Sequence, residues 1–279
     1  MKPVDAARRP GFPLRMPVSA SQTGATKLIA GRAREMVVTD LKLSRKGLKK
    51  PYSGAVTGVA GATGLGLDSQ AVRARMVQKL AVQGVQDSRV LAAIGQVERH
   101  RFVDSALVNQ AYEDTSLPIG LGQTISKPNV VARMLELLVK NCDGKLGRVL
   151  EIGTGCGYQA ALLAQLAVEV YSIERLRGLH DRARDNLRPF KVANLHLLFG
   201  DGMAGYARGA PYAAIIAAAG GEALPKAWLD QLAIGGRLVA PVQGASGAQA
   251  LVVIDKTARG ITQTLLEAVH FVPLKSGTS

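Results

Sequence analysis

The sequence predicts a doubly wound α/β fold, in which helices cover both faces of a mainly parallel sheet. Continuous apolar runs occur at 148–152, 168–173, 195–199, 212–219, 237–242 and 251–254, and segments with helical spacing lie between most of them, at 158–166, 176–187 and 223–232. Apolar runs without alternation indicate strands buried on both faces, which is the environment of a parallel sheet between helices. A glycine-rich turn follows the first run, where open sheets of this class bind ligands.

Length and composition favour one large folded domain inside a cell. The chain has 279 residues, of which 47% are hydrophobic, so it can bury a substantial core. Its two cysteines, Cys142 and Cys156, exclude a disulfide framework and favour a reducing compartment, so we expect a cytoplasmic protein. No apolar run approaches the roughly 18 residues of a membrane span, and the N-terminus lacks the apolar stretch of a secretory signal.

The formal charge of +14 is concentrated in the first 67 residues. This segment holds 12 Lys and Arg residues against 3 acids, a net charge of +9, and is rich in Pro, Gly, Ser and Thr. We therefore expect residues 1–67 to form a disordered, basic N-terminal extension. The same composition is also typical of an organelle transit peptide or of an arm that binds nucleic acid, although no aromatic side chains alternate with the charges to stack on bases.

Three helices are predicted before the sheet. The first follows the capping residues Asp68-Ser69, the second follows Asp87-Ser88, and the third covers about 128–140 with an apolar stripe along one side. The passage between the second and third helices, 99–123, is polar and turn-rich and shows no periodicity. We therefore predict a small helical subdomain in front of the sheet.

The glycine-rich turn separates two classes of nucleotide ligand. The first apolar run leads directly into Gly153, Gly155 and Gly157, and a helix begins at Tyr158. A dinucleotide site has the pattern G-x-G-x-x-G, which would put its third glycine where Tyr158 stands. The pattern here is E-x-G-x-G-x-G, starting at Glu151. A carboxylate before the loop suits a ligand with ammonium or sulfonium groups better than one with a pyrophosphate.

Two further acids stand at the ends of the next two strands. Glu174 lies 21 positions after Gly153, where an acid can accept hydrogen bonds from both ribose hydroxyls. Asp201 can accept from the amino group of an adenine, while Gly202 lets the backbone approach the ring. Alternatively, Glu174 is an exposed strand-end acid and Asp201 a turn residue. Together the motifs predict S-adenosyl-L-methionine as the cofactor. The predicted cofactor-binding residues are Glu151, Gly153, Gly155, Gly157, Glu174, Asp201 and Gly202.

With these residues assembled, the chain from about Met76 to Gly277 resembles the protein-L-isoaspartate O-methyltransferases. The most specific segment is Leu117-Pro118-Ile119-Gly120-Leu121-Gly122-Gln123-Thr124-Ile125-Ser126-Lys127-Pro128, which looks like the family's substrate-site signature. Supporting segments lie at 101–103, 111–114, 235–242 and 269–274. The resemblance implies a Rossmann-like methyltransferase sheet whose late strands pair antiparallel. It also implies transfer of a methyl group from S-adenosyl-L-methionine to L-isoaspartyl carboxyls in damaged proteins, with S-adenosyl-L-homocysteine as the product.

The same resemblance implies roles for the segment before the third helix. Ser126 is implied as the active-site serine, and Gln123, Thr124 and Ile125 as residues that border substrate and cofactor. Because the chain has no G-x-S-x-G turn and no histidine at a matching spacing, Ser126 is better suited to orient a carboxylate than to act as a nucleophile. A carboxylate acceptor is already ionised at neutral pH, so catalysis requires positioning and desolvation rather than a general base. Ser126 can alternatively cap the helix that starts at Pro128.

The resemblance also divides the chain. After the extension at 1–67, we expect a methyltransferase domain at 68–279, in which a substrate-side subdomain at 68–125 precedes the cofactor-binding core at 126–279. Two positions depart from the family's pattern. Ala213 stands where an acid is usual, and a turn that usually reads Thr-Ala-Ala ends here in Gly220.

The expected partners are isoaspartyl-containing proteins and peptides. We expect the enzyme to be a monomer and to have no association with a membrane. No metal is expected, because two cysteines 14 positions apart and four scattered histidines form no ligand cluster. Two alternatives stay open. The basic extension suits a nucleic-acid-associated methyltransferase that uses the same cofactor, and the departures at Ala213 and Gly220 suit a cofactor-binding protein without activity.

Overall fold

The computed structural model describes residues 70–244 and 247–279. Its helices are α1 (Gln70–Val82), α2 (Ser88–Gln96), α3 (Pro128–Val139), α4 (Tyr158–Leu166), α5 (Arg177–Leu187) and α6 (Lys226–Gln231). Its strands are β1 (Leu117–Gly120), β2 (Gln123–Ile125), β3 (Leu146–Ile152), β4 (Ala167–Glu174), β5 (Leu195–Phe199), β6 (Tyr212–Ala217), β7 (Leu232–Gln243), β8 (Gln249–Thr257) and β9 (Gly260–Val269). The extension predicted at 1–67 and the cap predicted at Asp68-Ser69 lie outside the described residues.

A seven-stranded sheet in the order β5-β4-β3-β6-β7-β8-β9 forms the centre of the fold. Strands β3 to β7 pair in parallel, whereas β8 pairs antiparallel with both β7 and β9. The chain moves outward from β3 through β4 to β5, then returns to the other side of β3 with β6. This reversal opens a crevice at the carboxyl ends of β3 and β6, which is where doubly wound sheets bind ligands. The predicted α/β fold and its antiparallel late strands are confirmed.

The apolar runs that predicted the sheet are buried on both of its faces. Val149 belongs to the larger apolar cluster, with the helices α3 and α4, whereas its neighbour Leu150 belongs to a second cluster on the opposite face. The second cluster includes Ile215 of β6, Leu238 of β7 and Trp228 of α6. Because successive side chains of a strand point to opposite faces, only a run without alternation can supply both clusters.

The segment that was predicted to form a helical subdomain contains α1 and α2 and also a small two-stranded sheet. Asp87 caps α2, since its Oδ1 accepts from the backbone N–H groups of Arg89 at 2.9 Å and Val90 at 3.3 Å. Strands β1 and β2 pair antiparallel as a hairpin. Strand β1 lies within the passage 99–123, for which periodicity predicted no element, and β2 begins at the last residue of that passage. Strands this short carry too few residues to display a period.

Other elements differ from the sequence prediction in extent. Helix α6 begins at Lys226 rather than at 223, because Pro225 disfavours helical backbone in the residue before it. Strand β9 was not predicted at all. Its residues are almost all exposed, since it lies at the edge of the sheet, so it has no apolar pattern to detect. Among the described residues, no helix combines the length and the apolar character that a bilayer span requires.

Candidate functional site

A cavity of about 410 Å³ lies at the carboxyl ends of the central strands. This volume falls within the range of small-molecule sites. Its wall comes from seven parts of the chain: the β1–β2 hairpin with Ser126, Val131 of α3, the end of β3 with the glycine-rich turn and the start of α4, the end of β4 with the start of α5, the residues after β5, the residues after β6, and the C-terminal segment. The polar and backbone groups of the wall include Gln123, Thr124, Ser126, Gly153, Thr154, Gly155, Gln159, Glu174, Gly202 and Ser279.

The glycine-rich turn owes its shape to backbone angles that other residues rarely adopt. Gly153, Gly155 and Gly157 have φ values of 90°, 57° and 94°. A Cβ on Gly157 would lie 2.8 Å from Cδ1 of Leu187 in α5. Gly153 and Gly155 line the cavity, whereas Gly157 supports the turn from behind, against α5.

Glu174 is fixed at the end of β4 by two backbone groups. Its Oε2 accepts from the N–H of Gly155 and its Oε1 accepts from the N–H of Leu176, both at 2.9 Å. The residue is 5% exposed and lines the cavity. The alternative of an exposed strand-end acid is therefore wrong. The carboxylate holds the turn after β3 against the turn after β4 and still faces the cavity.

Glu151 lies beneath the turn and does not line the cavity. Its Oε2 accepts from Ser172 Oγ at 2.5 Å, and the Ser172 and Thr154 hydroxyl oxygens are 2.6 Å apart. Burial raises the pKa of Glu151 to about 8. At neutral pH its carboxyl is therefore mainly protonated. The expectation of an anion that faces a positively charged ligand is therefore wrong: Glu151 is buried, and the Ser172 hydroxyl lies between it and Thr154 in the cavity wall.

Asp201 uses both carboxylate oxygens on backbone groups. Its Oδ1 accepts from the N–H of Met203 at 2.9 Å, and its Oδ2 accepts from the N–H of Gly277 at 2.7 Å. Asp201 itself does not line the cavity, but Gly202 does. The Gly202 carbonyl oxygen accepts from Trp228 Nε1 at 2.8 Å, which fixes this part of the wall.

The segment Gln123–Ser126 lines the cavity opposite the glycine-rich turn. The structure therefore brings this segment together with four of the seven predicted cofactor-binding residues, Gly153, Gly155, Glu174 and Gly202. Ser126 is not the helix cap, because α3 begins after Lys127, and its second residue, Asn129, donates its N–H to Asp114 Oδ1 at 2.9 Å. No hydrogen bond of the Ser126 hydroxyl occurs within the described residues. That hydroxyl is available to a ligand.

Three wall-supporting features were not predicted. The buried Arg99 donates from Nη2 to the Ser126 carbonyl oxygen at 2.8 Å. Arg182 in α5 donates from Nη1 to the Ile119 carbonyl oxygen at 2.7 Å and so holds the hairpin. The C-terminal residues Val272–Lys275 also line the cavity, and the Gly220 carbonyl oxygen accepts from the N–H of Leu274 at 2.8 Å. Only the last feature had a signal in the sequence, the segment 269–274 of the family resemblance.

Gly220, one of the two positions that depart from the family's pattern, contacts the C-terminal segment through its backbone. Ala218 and Ala219 of the same turn line the cavity. No cluster of three or more His, Cys, Asp or Glu residues that could hold a metal ion occurs among the described residues.

The chain matches a known family over most of the described residues. A sequence model of the family described as protein-L-isoaspartate(D-aspartate) O-methyltransferase matches residues 71–279. A protein-L-isoaspartate O-methyltransferase of Methylibium petroleiphilum is 64% identical over 218 residues, which cover 77% of this chain and 81% of that protein. One of Leptothrix cholodnii is 62% identical over 219 residues, which cover 77% of each.

Solved structures with the same name share the fold. One protein-L-isoaspartate O-methyltransferase is 27% identical with a TM-score of 0.66, over 73% of this chain and 66% of that one. A Plasmodium falciparum structure named for the same activity is 25% identical with a TM-score of 0.65, over 73% of this chain and 98% of that one. That protein was crystallised in complex with S-adenosyl-L-homocysteine.

The support that Gly157 gives to the turn can be tested with an alanine. We expect Gly157→Ala to lose about 1 to 3 kcal/mol of unfolding free energy more than the matched variant Gly144→Ala. Both positions have left-handed backbone, at φ 94° and 82°, but a Cβ on Gly144 meets nothing within 4 Å. Thermal and denaturant unfolding measure the difference. Equal losses in the two variants would show that contact with Leu187 is unimportant.

Proposed function

Because the chain belongs to the protein-L-isoaspartate(D-aspartate) O-methyltransferase family, we propose that the cavity described above is its active site. The enzyme uses S-adenosyl-L-methionine and methylates L-isoaspartyl carboxyls in damaged proteins. One observation supports this position of the active site: Gln123–Ser126 and the glycine-rich turn line the same cavity from opposite sides.

The cofactor side of the site fits S-adenosyl-L-methionine. We assign cofactor contacts to Gly153, Gly155, Glu174 and Gly202, which line the cavity. Glu174 keeps a carboxylate at the wall, and such a group accepts hydrogen bonds from ribose hydroxyls. When bound, the cofactor supplies an electrophilic methyl group. Gly157, Glu151 and Asp201 act in this proposal as supports, because their side chains or backbone hold the contact residues from behind.

The acceptor side of the site is the segment from Gln123 to Ser126. The free hydroxyl of Ser126 can donate a hydrogen bond to one oxygen of an isoaspartyl carboxylate and orient the other. Ile119, Ile125 and Val131 give this side apolar walls that remove water from the carboxylate. Because the acceptor is ionised at neutral pH, these residues need only position and desolvate it, and no base is required.

Other properties of the protein follow as proposals of the same kind. We assign 68–125 to the substrate side and 126–279 to cofactor binding, within a monomeric enzyme of the cytoplasm. The basic extension, 1–67, lies outside both the described residues and the range 71–279 that matches the family. Association of this extension with nucleic acid is therefore a separate question, answered by whether its deletion removes salt-sensitive binding.

A pair of peptides tests the activity. We expect methyl transfer to a peptide with one L-isoaspartyl residue and at least about a hundredfold less to its twin with an ordinary aspartyl residue, because only the isomer presents its carboxylate with the required geometry. Radiolabelled methyl incorporation measures both rates. Equal labelling of the twins would contradict the assignment, and binding of S-adenosyl-L-homocysteine without any turnover would favour the inactive alternative.

The cofactor role of Glu174 predicts a loss of affinity in Glu174→Gln. We expect the dissociation constant of S-adenosyl-L-homocysteine to rise about tenfold or more, since the amide gives up charge-assisted hydrogen bonds. Calorimetry measures this. The matched control is Glu136→Gln, because Glu136 Oε1 also accepts two backbone N–H groups, from Gln86 and Asp87, outside the cavity. Equal affinity in the two variants would overturn the assignment.

The orienting role of Ser126 predicts a change in turnover rather than in stability. We expect Ser126→Ala to lower kcat about tenfold, because it removes one hydrogen bond to a charged group, while the KM for the cofactor and the melting temperature change little. Ser105→Ala, at an exposed position outside the cavity, is the control. A loss of melting temperature with unchanged kcat would mean that Ser126 is only structural.

A further inference from the structure

The buried guanidinium of Arg99 is the feature that the proposed function leaves unexplained. Arg99 begins the short 3-10 turn Arg99–Phe102 and has 0% of its surface exposed. Arginine is rarely buried in full without a partner of opposite charge, because taking a charge out of water is costly. The groups around Arg99 indicate what this charge acts on.

The guanidinium lies behind two residues of the cavity wall, Ser126 and Tyr158. Its Nε donates to the Ala111 carbonyl oxygen and its Nη2 donates to the Ser126 carbonyl oxygen, each at 2.8 Å. Its Cζ lies 4.9 Å from the centroid of the Tyr158 ring. Ser126 and Tyr158 both line the cavity. One layer of residues therefore separates the positive charge from the space that we assign to the acceptor.

No carboxylate neutralises this charge at close range within the described residues. No ion pair of Arg99 occurs there, and Nη1 has no hydrogen-bond partner there. Burial raises the pKa of Tyr158 to about 12 and also raises the pKa of the Cys156 thiol, so neither is an anion at neutral pH. Asp114 attracts Arg99 more weakly, from an exposed position.

The charge of Arg99 is retained despite its burial. Burial lowers the pKa of Arg99, chiefly by desolvation. A guanidinium nevertheless keeps its proton at neutral pH, because its ordinary pKa is so high. In a water-poor interior the field of such a charge is screened less than at a surface. An anion in the cavity next to Ser126 is therefore stabilised by Arg99.

The substrate and the product of the reaction differ by one negative charge. An isoaspartyl carboxylate is anionic at neutral pH, whereas its methyl ester is neutral. We propose that Arg99 is a specificity-determining positioning residue, whose uncompensated charge makes the Ser126 side of the cavity prefer the anionic acceptor to the neutral product. This rests on the proposed function, because Ser126 must lie on the acceptor side. Arg99 then favours binding of the acid and release of the ester without touching either.

A purely structural role for Arg99 makes a different prediction. If Arg99 only ties Ala111 to Ser126, its replacement weakens the binding of charged and neutral ligands equally. The ratio of the two dissociation constants separates these roles. A suitable neutral ligand is the isoasparaginyl twin of the peptide, in which a carboxamide replaces the free carboxylate at nearly the same size.

The experiment uses the full-length chain with S-adenosyl-L-homocysteine present, so that both peptides bind without turnover. We expect the wild-type protein to bind the isoaspartyl peptide about tenfold more tightly than the isoasparaginyl peptide at neutral pH. Arg99→Met should reduce this ratio to near one. The control is Arg237→Lys, which should leave the ratio of the two dissociation constants unchanged. Arg237 also donates to a backbone carbonyl oxygen, that of Leu137, but it lies outside the cavity.

Arg99→Lys provides a second test that does not depend on the folding of Arg99→Met. A buried lysine loses its proton far more readily than an arginine. The introduced lysine should therefore keep the ratio at about pH 6 and lose it as the pH rises to about 8.5. The wild-type ratio should not change over that range, because the acceptor carboxylate stays ionised and the guanidinium stays protonated.

Two results would overturn the proposal. One is a wild-type ratio near one, and the other is an unchanged ratio in a folded Arg99→Met or, in Arg99→Lys, at a pH where titration of that variant shows the lysine to be neutral. These results are distinct from a failure of the proposed function. That failure would appear as equal methylation of the isoaspartyl peptide and its aspartyl twin by the wild-type enzyme, which is measured separately.

Discussion

The site depends on the carboxylate of Glu174, which binds the turns after two neighbouring parallel strands. One oxygen accepts from Gly155 after β3 and the other accepts from Leu176 after β4. The two turns lie side by side because β3 and β4 are neighbouring parallel strands, and the crevice beside them opens where the strand order reverses between β3 and β6. Of the three glycines, Gly155 donates its N–H to the acid, whereas Gly153 and Gly157 donate to the carbonyl oxygens of Ile173 and Thr154. Fold and site are thus coupled through one residue.

Much of the fold and part of the site could be predicted from the sequence. Buried parallel strands have continuous apolar runs, and a turn with left-handed backbone requires glycines, as the turn after Ile152 does. Both the strands and the turn could therefore be predicted. The role of each acid was harder to predict. Glu151, Glu174 and Asp201 all stand at strand ends, yet only Glu174 lines the cavity. A strand-end position does not specify which face the side chain takes or which backbone N–H groups it binds.

Features built from distant or exposed residues gave no local signal. Arg99 lies in a passage without periodicity, and its partners Ala111, Ser126 and Tyr158 are brought to it only by the tertiary fold. Strand β9 pairs along one edge through backbone groups and buries few side chains, so its sequence does not alternate. The hairpin β1–β2 was identified only as a family signature, because strands of four and three residues are too short for a period.

Trp228 gives the protein a built-in spectroscopic reporter. It is the single tryptophan of the chain, it is 1% exposed, and its indole N–H donates to the carbonyl of Gly202 in the cavity wall. Indole emission depends on the polarity and hydrogen bonding of its surroundings. Occupation of the cavity beside Gly202 should therefore alter the fluorescence of one known residue, and ligand entry can be followed in real time without attaching a dye.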